Sequence, residues 1–133
     1  MTDDHPVDGL PTPSPEDDPG EVVARQLEAL ASNDAPFENA GILTAYNFAS
    51  PGNRRTTGPR DRFVRMVRGP RYSPMVDHVE AVRGPVERDG DRATQRVTLT
   101  GPRGRTVTFR FGLSVQSTGP FAGCWMTDSV VVD

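Results

Sequence analysis

Residues 106–116 read Thr-Val-Thr-Phe-Arg-Phe-Gly-Leu-Ser-Val-Gln, with an unbroken period of two. As a strand, this stretch puts Val107, Phe109, Phe111, Leu113 and Val115 on one side. Thr106, Thr108, Arg110, Gly112, Ser114 and Gln116 fall on the other. One buried and one wet face predict a central strand of an antiparallel sheet. The rest of the chain then reads as neighbouring strands and the layer that covers the apolar face.

On the C-terminal side, Ser117-Thr118-Gly119-Pro120 turns the chain out of this strand. Phe121 to Val132 supplies a further one, with Trp125, Phe121 and Thr127 on one face and Cys124 and Met126 on the other. On the N-terminal side, Gly101-Pro102-Arg103-Gly104 is a hairpin turn. Before it, Ala93 to Thr100 alternates, with Gln95, Val97 and Leu99 opposite Thr94, Arg96, Thr98 and Thr100. Asp89-Gly90 signals a two-residue hairpin. Val76 to Arg88 reads as a strand pair, or one long strand bent at Gly84-Pro85.

Upstream of Val76 the period lengthens. Asp18-Pro19-Gly20-Glu21 is a helix start: N-cap, proline in the first turn, and a glutamate able to reach back. Val23, Leu27 and Leu30 continue it to near Asn33-Asp34. A second helix spans about Glu38 or Asn39 to Ala49 and is apolar nearly all round, so Thr44 and Asn47 are predicted to be taken inside with it. Ser50-Pro51-Gly52 ends it, which leaves Arg54-Arg55 on a loop. Pro59 opens a third, short helix carrying Phe63, Met66 and Val67, closed by Gly69-Pro70. The predicted class is therefore α+β, with three N-terminal helices packed on a curved, four-stranded antiparallel meander.

Composition divides the chain of 133 residues at about residue 20. Residues 1–20 hold five prolines, six carboxylates and no arginine, and are predicted to be a disordered acidic tail. Residues 21–133 form a single predicted domain with twelve acids and fifteen arginines, a balance of +3 that sums with the tail's −6 to the overall −3. The chain has no lysine, and its twelve aspartates against six glutamates hint at a high-GC or halophilic source. One cysteine, Cys124, allows neither an internal disulfide nor a cysteine metal cluster. His5 and His78 are the only histidines, so no metal site and no cofactor is expected. No apolar run approaches a membrane span, and the acidic N-terminus does not read as a signal peptide. A soluble, cytoplasmic protein is the expectation.

Tyr46-Asn47-Phe48-Ala49-Ser50-Pro51, Arg62-Phe63 with Met66-Val67, Tyr72 with Pro74, and Trp125 carry a family resemblance. Together with the element order, they resemble the nuclear transport factor 2-like (cone fold) superfamily. Within it they resemble the family of the domain of unknown function 4864, over about Glu21 to Val132. The resemblance implies a cone-like fold, a pocket between helices and sheet, and a homodimer through the outer sheet face. It implies no activity.

Three functional readings follow. The first is a pocket that binds a small apolar ligand or a protein partner, with Tyr46, Asn47, Tyr72, Phe109, Phe111 and Trp125 as candidate lining. The second is an isomerase- or dehydratase-like enzyme. Its candidate groups, Tyr46, Asn47, Tyr72, His78 and Asp128, form no motif with diagnostic spacing, so no catalytic residue is assigned and the balance leans against catalysis. Tyr46 reads rather as a core tyrosine with a tethered hydroxyl, His78 as an exposed strand residue, and Cys124 as an inert apolar residue. The third is an arginine-rich surface (Arg54, Arg55, Arg62 and Arg65) contacting nucleic acid or an acidic partner. A solvated surface is the plainer reading, because a lysine-free chain writes every solvated cation as arginine, and nucleic acid is not the expected partner.

Overall fold

In the computed structural model, which describes residues 5–133, four helices and a 3-10 turn precede a four-stranded antiparallel sheet. The helices are α1 (Pro19–Ala31), α2 (Ala40–Phe48), α3 (Pro51–Thr57) and α4 (Arg60–Arg68). The 3-10 turn spans Ser73–Met75, and the strands are β1 (Glu80–Asp89), β2 (Arg92–Thr100), β3 (Thr106–Val115) and β4 (Trp125–Val132). The strands pair in chain order, β1-β2-β3-β4.

The start of α1 follows from its first four residues. Asp18 accepts from the Glu21 amide at 2.8 Å, and the Glu21 carboxylate accepts from the Asp18 amide at 2.8 Å. The helix then buries Val22, Val23, Gln26, Leu27 and Leu30.

Helix α2 has no side-chain cap from its own N-cap residue, Asn39, which sits in the left-handed region. Asn33 supplies one from outside: its Oδ1 accepts from Ile42 N at 2.9 Å, and its backbone carbonyl accepts from Gly41 N at 2.8 Å. The two helices meet so closely there that a Cβ on residue 41 would lie 2.3 Å from the Ala29 carbonyl oxygen. Thr44 and Asn47 are buried with this helix, and the Thr44 hydroxyl donates to Ala40 O at 2.8 Å.

Two segments correct the sequence reading. Ser50-Pro51 ends α2 but also begins α3, because the Ser50 hydroxyl accepts from Asn53 N and Pro51 occupies the first turn. There are thus four helices rather than three, and Arg54 and Arg55 lie on a helix, not a loop.

The second correction concerns the acidic tail expected over residues 1–20. Met1 to Asp4 lie outside the described residues, but His5 to Asp18 are laid against the body. Val7 and Leu10 are buried in the core. The Asn47 amide accepts from Val7 N at 2.7 Å and donates to Val7 O at 3.2 Å and Pro11 O at 3.1 Å. Asp17 is buried and takes two bonds of 3.0 Å from the Arg25 guanidinium. A few specific anchors hold the segment, which an average over its composition hides.

In the sheet, Phe109, Phe111 and Leu113 are buried together with Val97 and Leu99, beneath Val22, Leu30, Tyr46 and Phe48. Val107 and Val115, at the two ends of the same face, are half-buried. Strand β1 is one strand with an irregularity between Arg83 and Val86, at Gly84-Pro85. The Gly84 carbonyl freed there accepts from Gln95 Nε2 at 2.8 Å. The β1–β2 turn is Gly90-Asp91, one residue later than Asp89-Gly90. On the outer face the hydroxyls of Thr98 and Thr108 pair at 2.8 Å, and those of Thr100 and Thr106 at 3.0 Å. No helix among the described residues is long and apolar enough to cross a membrane.

Candidate functional site

Between the helices and the inner face of the sheet lies a cavity of about 580 Å³. Leu30 of α1, Ala45 of α2 and Phe63, Met66 and Val67 of α4 form its helical wall. Met75, Phe111 and Val130 close the other side, and together these residues make the lining mainly apolar. Its polar groups range in exposure, with Asn53, Thr57 and Tyr72 half-buried. Gln26 and Thr127 are almost fully buried, while Thr56, Arg62, Asp128 and Ser129 are exposed and mark the side open to solvent.

Each wall residue is placed by its local structure. Gln26 lies one turn after Val22 and one before Leu30, within the apolar stripe of α1. Its Nε2 donates to Val22 O at 3.2 Å and to Thr127 Oγ1 at 2.8 Å. Thr127 is held on β4 from both sides, since its carbonyl accepts from Ser50 N at 2.8 Å and Asn53 Nδ2 at 3.1 Å. Tyr72 stacks on Phe109 at 6.0 Å between ring centres, and its hydroxyl donates to Val130 O at 2.8 Å. That bond uses the hydroxyl's only hydrogen.

Of the six lining candidates read from sequence, Tyr72 and Phe111 lie on the cavity wall. Phe109 is buried behind Tyr72. Trp125 is buried elsewhere, beneath the Arg88 guanidinium at 5.0 Å. Asn47 faces the N-terminal segment, as described above. Tyr46 is fully buried, edge-on to Phe63 at 5.3 Å and to His5 at 5.6 Å. Its hydroxyl has no hydrogen-bond partner among the described residues, so it is not the tethered group expected.

The other candidates are equally specific. His78 is buried just before β1, with Nδ1 2.8 Å from Met75 O, rather than exposed on a strand. Asp128 is exposed at the cavity's open side. Arg54 turns inward to the Ala49 carbonyl and lies 6.0 Å from the centre of the Tyr46 ring. Arg65 pairs with Asp61 at 3.5 Å, and Arg55 is exposed on α3. Arg62 alone of these four lines the cavity. Burial pushes the Cys124 thiol above its ordinary pKa, with the charge of Asp17 adding to the effect. Among the described residues no cluster of three or more His, Cys, Asp or Glu side chains is placed to hold a metal ion.

Sequence reasoning missed Gln26 and Thr127. The signal for Gln26 was present: an amide at i+4 from one core residue and i−4 from another. Thr127 was assigned to the face of Trp125 but given no role.

A family model described as domain of unknown function (DUF4864) matches residues 15–132. No curated protein and no solved structure matches the chain significantly.

Proposed function

The chain belongs to the family of the domain of unknown function DUF4864, and we propose, from the shape and lining of the cavity, that the domain binds a small apolar molecule between helices and sheet. One observation carries this reading. A space of about 580 Å³, walled mainly by Leu, Val, Met, Phe and Ala side chains, is left inside a domain of this size. It opens to solvent past Thr56, Arg62, Asp128 and Ser129, and its volume falls within the range of about 300–1,000 Å³ usual for ligand sites. The order of helices and meander strands also supports placing the chain in the nuclear transport factor 2-like superfamily.

Catalysis is less well supported. General acid–base chemistry needs a positioned donor and acceptor facing a substrate. The cavity's one carboxylate, Asp128, is exposed, Tyr72 is engaged with Val130, and His78 lies outside the wall. A nucleic-acid surface is also less well supported, since Arg54, Arg65 and Arg68 are held by the Ala49 carbonyl, Asp61, Asn39 and Asp34.

The test is fluorescence of the neutral probe N-phenyl-1-naphthylamine. Saturable enhancement with one probe per chain is expected, weakened strongly by Ala45→Leu, which extends a side chain from α2 into the cavity. The urea midpoint of that variant, unchanged or higher, shows that the fold is kept. Absence of saturable enhancement in the native chain overturns the reading.

A further inference from the structure

Two buried polar groups of the cavity wall are only half used within the protein. Gln26 is 2% exposed, and so is Thr127. The Val22 carbonyl can only accept, which fixes the orientation of the Gln26 amide and gives Nε2 to Val22 O and Thr127 Oγ1. The Gln26 Oε1 acceptor is left without a protein partner among the described residues. Thr127 Oγ1 receives a hydrogen from Gln26, and its own hydrogen likewise has no acceptor among the described residues. Unlike Tyr46 Oη and Gln95 Oε1, the Gln26 Oε1 atom is not sealed off, so water or a ligand can complete it.

The third group lies at the open side. Arg62 has no carboxylate within ion-pair reach among the described residues. Its stem runs over Gly58, where a Cβ would lie 2.6 Å from Arg62 Cδ and where φ is +87°. The absence of a side chain at position 58 therefore makes room for the arginine at the cavity. Asp128 is the other charge on this wall, but it also borders a second, outer depression alongside Arg88 and Arg92. Of the two, Arg62 borders the cavity without bordering that depression.

Resting on the reading of the cavity as a ligand site, we infer that its ligand is an apolar monocarboxylate with a hydrogen-bond donor at its far end. The carboxylate meets Arg62 at the open side, the body lies against Leu30, Phe63, Met66 and Phe111, and the donor reaches Gln26 Oε1. Asp128 disfavours a second negative charge, which limits the ligand to one carboxylate.

A ligand series tests this with the full chain. Affinities are measured by calorimetry for 2-naphthamide, 2-naphthoate, 6-hydroxy-2-naphthoate and 2-naphthylmethylamine at one salt concentration. The naphthoate is expected to bind about tenfold tighter than the amide, the scale of one charge-assisted hydrogen bond. Arg62→Gln should remove that advantage and leave the affinity for the amide unchanged. The 6-hydroxyl should add a further gain of about threefold. Equal binding of amide and naphthoate, tighter binding of the amine, or no gain from the hydroxyl overturns the inference while leaving the cavity as a ligand site. Failure of all four compounds to bind overturns the underlying reading as well.

Discussion

Substitution of Gly41 by alanine probes the contact that sets the helical wall of the cavity. The new Cβ would lie 2.3 Å from Ala29 O and 2.9 Å from both Ala29 C and Asn33 Cα. Ordinary contact begins at 3.4 Å, so α1 and α2 must part by about 1.1 Å. All three atoms are backbone, and no rotamer change relieves the clash. Overpacking of this kind costs about 1–3 kcal/mol, and lengthening the Gly41 N to Asn33 O bond removes about 1 kcal/mol more. The better helix propensity of alanine returns about 1 kcal/mol. With backbone as the obstacle, we take the upper end, a net loss of about 3 kcal/mol. For a domain of this length that lowers the melting temperature by about 12 °C, at about 4 °C per kcal/mol. Urea denaturation at equilibrium measures the loss directly. A change of less than about 0.5 kcal/mol would refute the close crossing and, with it, the placement of Gln26, Leu30 and Ala45 around one space.

Tyr46→Phe should leave stability unchanged or raise it by about 1 kcal/mol, because the hydroxyl is buried without a partner among the described residues. A loss of similar size by urea denaturation would expose a partner that the structure lacks. Asn47→Ala should cost about 2–3 kcal/mol and release the segment around Val7, read as faster amide exchange at Val7 and unchanged exchange in β3. Exchange at Val7 equal to the native rate would contradict the role of Asn47 as its anchor. Cys124 should alkylate slowly in the native chain at mildly alkaline pH and rapidly in urea, since burial raises its pKa. The sign for stability follows. Folding favours the protonated thiol, so its contribution is intact below the ordinary thiol pKa and falls as the pH rises through it. Native alkylation as fast as in urea would contradict this.

Much of the architecture was legible because single residues have single structural meanings. The alternation of Phe109, Phe111 and Leu113 can be buried on one face only if the stretch is a strand. Asp18 and Glu21 satisfy each other's backbone donors only at a helix start. The missed helix α3 shows the limit of such signals. Pro51 is both a stop for the preceding helix and a first-turn residue of the next, and Ser50 decides between them by capping Asn53. The segment from His5 to Asp18 was misread for a different reason. Its low hydrophobicity predicts disorder, whereas its attachment depends on a few specific anchors, among them the buried amide of Asn47, far away in sequence. The cavity was legible only in part for the same reason. Tyr72 and Phe111 announce themselves as large rings on the right elements. Gln26 and Thr127 acquire their roles from each other, across a separation no local pattern records.

Methyl NMR of the full chain titrated with N-phenyl-1-naphthylamine would locate the bound molecule. Shifts confined to the methyls of Leu30, Met66, Val67, Met75 and Val130, with Val82 and Val131 on the outer sheet face unmoved, are the predicted result. Shifts at Val82 and Val131 with the cavity methyls unmoved would contradict a ligand site between the helices and the sheet.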